Sequence, residues 1–159
     1  MKKLQFKVLK SYNALITLML SFLGFSSSCD WLTPKAMYGT PTADFLIKGK
    51  VESKSNKPVA GIKVDISKEF DTQEGQKLVL IGTSASEAGT GAYLVKANDF
   101  PDDQTFKVKF TDIDGAENGE YETLDTTVVF QNPKYSGGDG SWYHGKTEKE
   151  LNVKLKTKK

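Results

Sequence analysis

The densest set of potential ligands in the 159-residue chain is an acidic stretch: Asp112, Asp114, Glu117, Asn118, Glu120, Glu122 and Asp125. A hard cation such as Ca2+ takes about six to eight oxygens, and a D-x-D-G turn followed by Asn offers several on one tight loop. Asp112, Asp114, Glu117 and Asn118 are therefore the candidate metal ligands, of a Ca-dependent surface binding protein. The stretch departs from an EF-hand loop, because Gly115 stands at the third acidic position and no bidentate Glu sits at the required offset. The same residues also suit a solvated turn in which Asp and Asn cap backbone N–H groups. A second candidate is the glycine-rich segment Gly137–Gly145 (GGDGSWYHG). There Trp142, Tyr143 and His144 form a possible ligand-binding loop, the two aromatics offering a flat platform to a sugar ring or a peptide. Alternatively, one aromatic folds back to cover the open end of the domain. His144 is the sole imidazole, so a metal held there needs carboxylate help, for example from Asp139. For catalysis the inventory is poor: no G-x-S-x-G nucleophile elbow occurs, and a single Cys and a single His restrict dyads. The expectation is a non-catalytic protein without catalytic residues, needing no cofactor beyond a possible Ca2+.

All 22 basic residues are Lys, set against 20 acidic residues. Without Arg there is no guanidinium fork for guanine edges or phosphates, and a net charge of +2 makes no strong basic field, so no nucleic-acid partner is expected. A lone Cys excludes an internal disulfide framework. Its position is informative. Lys2, Lys3, Lys7 and Lys10 precede the uncharged run Ala14 to Phe25, and Ser26-Ser27-Ser28-Cys29 follows. That run is 12 residues long, within the range of a secretory core and short of the roughly 20 that a spanning helix needs. An apolar run and three small residues before Cys resemble a lipobox, with Ser26 where Leu is usual. This resemblance implies that Cys29 carries diacylglycerol and, with a further acyl chain such as palmitate, holds the chain to a membrane. The other reading is an ordinary signal peptide cut near Ser28, leaving a free exported thiol. Removing residues 1–28 takes four Lys and leaves 18 against 20 acids, a net charge of −2. The expected organisation is thus a signal peptide over 1–28, a lipidated tether over 29–42 and one domain over 43–159. Within the tether, Trp31, Met37 and Tyr38 are apolar enough to dock on the domain or to rest at a lipid interface.

From Ala43 onward the apolar period is two. Alternation is clear at Phe45–Val51, Ile62–Ile66, Tyr93–Val95, Phe106–Phe110, Val128–Phe130 and Leu151–Leu155. The continuous run Leu78–Ile81 reads as a central strand, and Ser67–Gln76 as a polar loop or a helical turn. Turn residues separate the runs, as at Asn56-Lys57-Pro58, Gly89-Thr90-Gly91 and Pro101-Asp102-Asp103. Seven short strands without a long helical stripe predict an all-β, seven-stranded, two-sheet Greek-key β-sandwich. Lys154 and Lys156 fall on the outward face of the last strand, where charge discourages edge-to-edge aggregation.

The sequence Ile47-Lys48-Gly49-Lys50-Val51, continued by Lys57-Pro58-Val59-Ala60-Gly61-Ile62-Lys63-Val64, resembles the first hairpin of carboxypeptidase-regulatory-like, prealbumin-type sandwiches. Gly91-Ala92-Tyr93-Leu94-Val95 is similar to the strand that follows there. Over the whole chain, Cys29-Asp30-Trp31, Met37-Tyr38-Gly39-Thr40-Pro41, Asp112-Ile113-Asp114-Gly115, Asn118-Gly119 and the Trp-Tyr loop resemble the radical-SAM-associated putative lipoproteins. That resemblance implies a cell-envelope lipoprotein of the outer membrane. It also implies a protein partner in the envelope, or a role as partner or modification substrate of a neighbouring radical S-adenosylmethionine enzyme. The leading expectation for function is a non-catalytic binding module in the envelope.

Overall fold

The computed structural model describes residues 12–19 and 39–158. The chain divides into two units, Met1–Tyr38 and Gly39–Lys159. In the first unit, residues 12–19 are helical and exposed. Among the described residues no helix is long and apolar enough to cross a membrane. Cys29, with Trp31, Met37 and Tyr38 of the expected tether, lies outside the described residues.

The second unit is all-β, a two-sheet sandwich of nine strands where the sequence predicts seven. They are β1 (Thr42–Ser53), β2 (Ile62–Thr72), β3 (Gly75–Ala85), β4 (Ala92–Asp99), β5 (Gln104–Asp112), β6 (Leu124–Phe130), β7 (Ser136–Gly137), β8 (Tyr143–Glu150) and β9 (Val153–Leu155). One sheet has the order β4-β1-β8-β7, with β9 also paired to β1; the other has the order β3-β2-β5-β6. The strands form because their inward positions are apolar at a period of two. Ala43, Phe45, Ile47 and Val51 of β1 are buried, and so are Ile62, Val64 and Ile66 of β2 and Phe106, Val108 and Phe110 of β5. Aromatic rings lock the two layers together. Phe45 meets Phe106 and Phe130 edge-to-face at centroid distances of 5.4 and 5.1 Å, and Tyr93 meets Phe110 at 5.5 Å.

Strands β8 and β9 follow β1 in one parallel register, Lys48 opposite Glu150 and Val51 opposite Val153. Between them, Leu151 turns its carbonyl toward β1. A Cβ on Gly49 would lie 2.1 Å from that oxygen, so a glycine is needed there for lack of room. The displaced groups keep partners: Tyr93 Oη donates to the Leu151 carbonyl at 2.6 Å, and the Lys50 N–H donates to Asn152 Oδ1 at 2.8 Å.

Two segments differ from the sequence reading. Ser67–Gln76 is neither loop nor helical turn but the outer part of the β2–β3 hairpin, which runs past the last β5 partner of β2 at Ser67. Leu78–Ile81 belongs to an edge strand, not a central one. Ile66 pairs with Gly82 but Ser67 pairs with Leu80, so Ile81 is an inserted residue. This bulge reverses the alternation in β3 and turns Leu78 and Leu80 to the outer face.

Candidate functional site

The two loops singled out by composition are each built from local hydrogen bonds. Strand β5 delivers Asp112 to the acidic loop, where a single 3-10 turn spans Gly115–Glu117. Asp112 Oδ1 accepts from the Gly115 N–H at 3.1 Å, and Oδ2 accepts from the Tyr121 N–H at 2.8 Å. Burial pushes this carboxyl up, but the Tyr121 N–H, Asp114 and the Gly115 N–H more than offset it and hold it below the ordinary carboxylate value. Asn118 Nδ2 donates to Asp114 Oδ2, while Asp114 Oδ1 is buried without a partner. Glu117 and Asn118 are exposed. The oxygens of Asp112 are thus spent on backbone donors. Among the described residues no group of three or more His, Cys, Asp or Glu is arranged to hold a metal ion.

In the glycine-rich loop, Asp139 Oδ1 accepts from the N–H of Ser141 at 2.8 Å and of Tyr143 at 3.3 Å, closing the turn into β8. Trp142, Tyr143 and His144 do not converge on one platform. The Trp142 carbonyl accepts from the Thr42 N–H at 2.8 Å, and its indole lies against Gly39, where a Cβ would sit 2.9 Å from Cδ1. Tyr143 Oη donates to Asp44 Oδ2 at 2.9 Å on the outer face of the first sheet. Asn98 Nδ2 at 2.9 Å and Lys96 Nζ at 3.4 Å hold the same carboxylate. Burial raises the Asp44 carboxyl, yet Asn98, Tyr143 and Lys96 together bring it below its ordinary value. His144 is exposed and stands edge-on to Tyr135 at 6.2 Å. Trp142 therefore fastens the start of β1 to the loop, and Tyr143 ties that loop to β1 and β4.

The structure adds residues that composition does not single out. At the end of the sandwich where β1 begins, Ala43 pairs with Asp99 at the end of β4, and Lys68 Nζ of β2 reaches Asp99 Oδ2 at 2.6 Å. The β2–β3 hairpin and the β4–β5 turn line one open groove there, which includes Lys68, Asp71, Gln76, Phe100, Asp102 and Asp103. Phe70, Leu78, Val79, Leu80, Phe100 and Trp142 are exposed around this end. A bulge leaves no mark in the hydrophobic pattern, so Leu78 and Leu80 look like core in the sequence.

No family model and no curated protein matches the chain. Solved structures do. The chain is similar to a chlorocatechol 1,2-dioxygenase from Pseudomonas putida, at 15% identity over 78% of this chain and 70% of that one, with a TM-score of 0.46. It is similar to the dioxygenase domain of a dioxygenase carbohydrate-binding protein fusion from Streptomyces sp. SirexAA-E, at 14% identity over 78% and 86%, with a TM-score of 0.43. A 9R-lipoxygenase from Cyanothece PCC8801 matches at 16% identity over 69% of this chain and 16% of that one, with a TM-score of 0.34.

These neighbours correct three expectations: a non-catalytic module, Ca-dependent or not; a protein that is no enzyme; and a protein without a cofactor. Two of the three structures are dioxygenases. The expectations of no catalysis and of no cofactor are withdrawn on that finding. The likeness is one of fold, and no residue correspondence is taken from it. Among the described residues the one His is exposed, and no group of three or more His, Cys, Asp or Glu is arranged to hold a metal ion. No catalytic step is derived through such an ion.

Proposed function

We propose that the chain is a lipoprotein of the cell envelope, held by acyl chains on Cys29, most simply at the outer membrane, where it meets a protein partner. In this reading it is akin to the radical-SAM-associated putative lipoproteins. Its two-sheet sandwich is, in the same reading, of the prealbumin-type Greek-key kind, with β7 and β8 added to the seven strands that the sequence predicts. One observation carries the proposal. The folded unit starts at Gly39, ten residues after a Cys that follows a Lys-rich start, an uncharged run and three Ser. Trp142 pins that start, so a tether from Cys29 leads into one defined end of the sandwich. Mass spectrometry of the protein from membranes tests it. The expected product begins at Cys29 and carries the mass of its acyl chains, and Cys29→Ser abolishes both. A soluble product with a free thiol, or a mature start elsewhere, overturns the proposal.

A further inference from the structure

We infer that the end of the sandwich where β1 begins rests in the headgroup region of a zwitterionic bilayer, with the β2–β3 hairpin as the inserted part. This deepens the anchoring proposal and rests on it. The nine exposed large hydrophobic residues of the second unit are unevenly spread, and six of them surround this end: Phe70, Leu78, Val79, Leu80, Phe100 and Trp142. The far end shows Ile113, beside the Gly61 turn. Clustering of this kind marks an interaction surface, whereas single exposed apolar residues do not.

What covers the surface follows from where the chain comes in. Gly39 lies at the same end, and the ten residues back to Cys29 reach at most about 35 Å when fully extended. A lipid on Cys29 therefore keeps this end within about 35 Å of the membrane, while the 12 residues of β1 carry the chain roughly 40 Å further to the far end. The hairpin is shaped for shallow insertion. Five residues of β2, Lys68–Thr72, pair with β3 after the last β5 partner, a projection of about 16 Å. Leu78 and Leu80 lie on its outer face and Phe70 and Val79 on the opposite one, both pairs set back behind the polar turn 71–77, which suits it to headgroups and not to hydrocarbon. The open edge of β3 needs water or headgroups for its N–H and C=O groups, which stops insertion above the hydrocarbon. Trp142 sits where interfacial aromatics are favoured. Charge selects the lipid. Lys68 is paired with Asp99 and Lys107 with Glu69, while Asp71, Asp102 and Asp103 face the same groove. This end is thus not drawn to anionic headgroups, and its contact with lipid is apolar.

The test uses the mature acylated protein in phosphatidylcholine–phosphatidylethanolamine vesicles, with an environment-sensitive label on Leu78→Cys or, in a second protein, on Ile113→Cys. Brominated phosphatidylcholine is expected to quench the label at 78 about threefold more than at 113, the contrast between a headgroup-level site and water. Adding Phe70→Asp and Leu80→Asp brings residue 78 down to the level of 113, while far-ultraviolet circular dichroism keeps its strand signature. A label on Leu80→Cys repeats the measurement should the substitution at 78 disturb folding. Equal quenching at 78 and 113 in a protein whose mass confirms acylated Cys29 overturns the inference and leaves the anchor standing. A blue-shifted label at 78 without vesicles means a second copy covers the hairpin and overturns it too. A natural product that carries no acyl chain on Cys29, and whose label at 78 vesicles do not quench, overturns both.

Discussion

Replacing Gly49 by Ala tests how β1 and the β8–β9 junction fit together. The added Cβ would lie 2.1 Å from the Leu151 carbonyl oxygen and 2.6 Å from its carbon, where ordinary contact begins at 3.4 Å. The carbonyl must retreat by about 1.3 Å, the difference between these separations. Gly49 is not among the positive-φ residues, so Ala is compatible with its backbone and the cost comes from the clash. Overpacking of this kind costs about 1–3 kcal/mol. Pulling the carbonyl off Tyr93 Oη costs about 1 kcal/mol more. The less flexible unfolded chain returns about 0.4–1 kcal/mol. A net loss of about 1–3.5 kcal/mol is expected, a fall in Tm of about 4–14 °C for a domain of this size. Urea unfolding of the single and double variants with Tyr93→Phe measures it. Tyr93→Phe alone costs about 1–2 kcal/mol, because it leaves the Leu151 carbonyl short of a donor. In the Gly49→Ala background that cost shrinks, because the bond is already broken. A Gly49→Ala protein within about 0.5 kcal/mol of the parent, or strict additivity with Tyr93→Phe, refutes the shared-carbonyl account.

Phe45→Ala removes the ring that meets Phe106 and Phe130 across the two layers, and chemical denaturation is expected to show a loss of about 3–5 kcal/mol; a loss below about 1.5 kcal/mol means that the layers close over the gap. Glu148, bound by Lys48 and Lys146, has its carboxyl held down to about 2 from an ordinary 4.5. Its contribution to stability is therefore complete above the unfolded value and is lost as pH falls through about 2. Carboxyl chemical shifts should titrate near that pH and move upward in Lys48→Met, and an unmoved midpoint refutes the pairing.

Strands β1, β2, β5 and β9 are legible in the sequence because their inward residues are large and apolar while their neighbours are polar. Strand β8 is hidden for the opposite reason. Its buried inward positions are Gly145 and Thr147, set among Lys and Glu, so no hydrophobic alternation announces it. Burial there is imposed by neighbours on both sides, which a single segment does not record. The reading of β3 fails at Ile81, where one inserted residue moves Leu78 and Leu80 from the expected core to the surface. Among the site residues, composition draws attention to Asp112, Trp142 and Tyr143, but the partners of the two aromatics are long-range. Gly39 and Asp44 meet Trp142 and Tyr143 only once the sheets assemble, and composition does not reveal such meetings.

The placement of β1 has a mechanical consequence. A pull on residue 39 is delivered along a strand that is bonded on both flanks, antiparallel to β4 from Ala43 to Lys50 and parallel to β8 and then β9. Force applied along such a strand shears many hydrogen bonds together instead of peeling them one at a time. The chain entering at residue 39 is thus joined to a strand held on both flanks, and a tug that would unzip a strand at the margin is shared across the whole sheet.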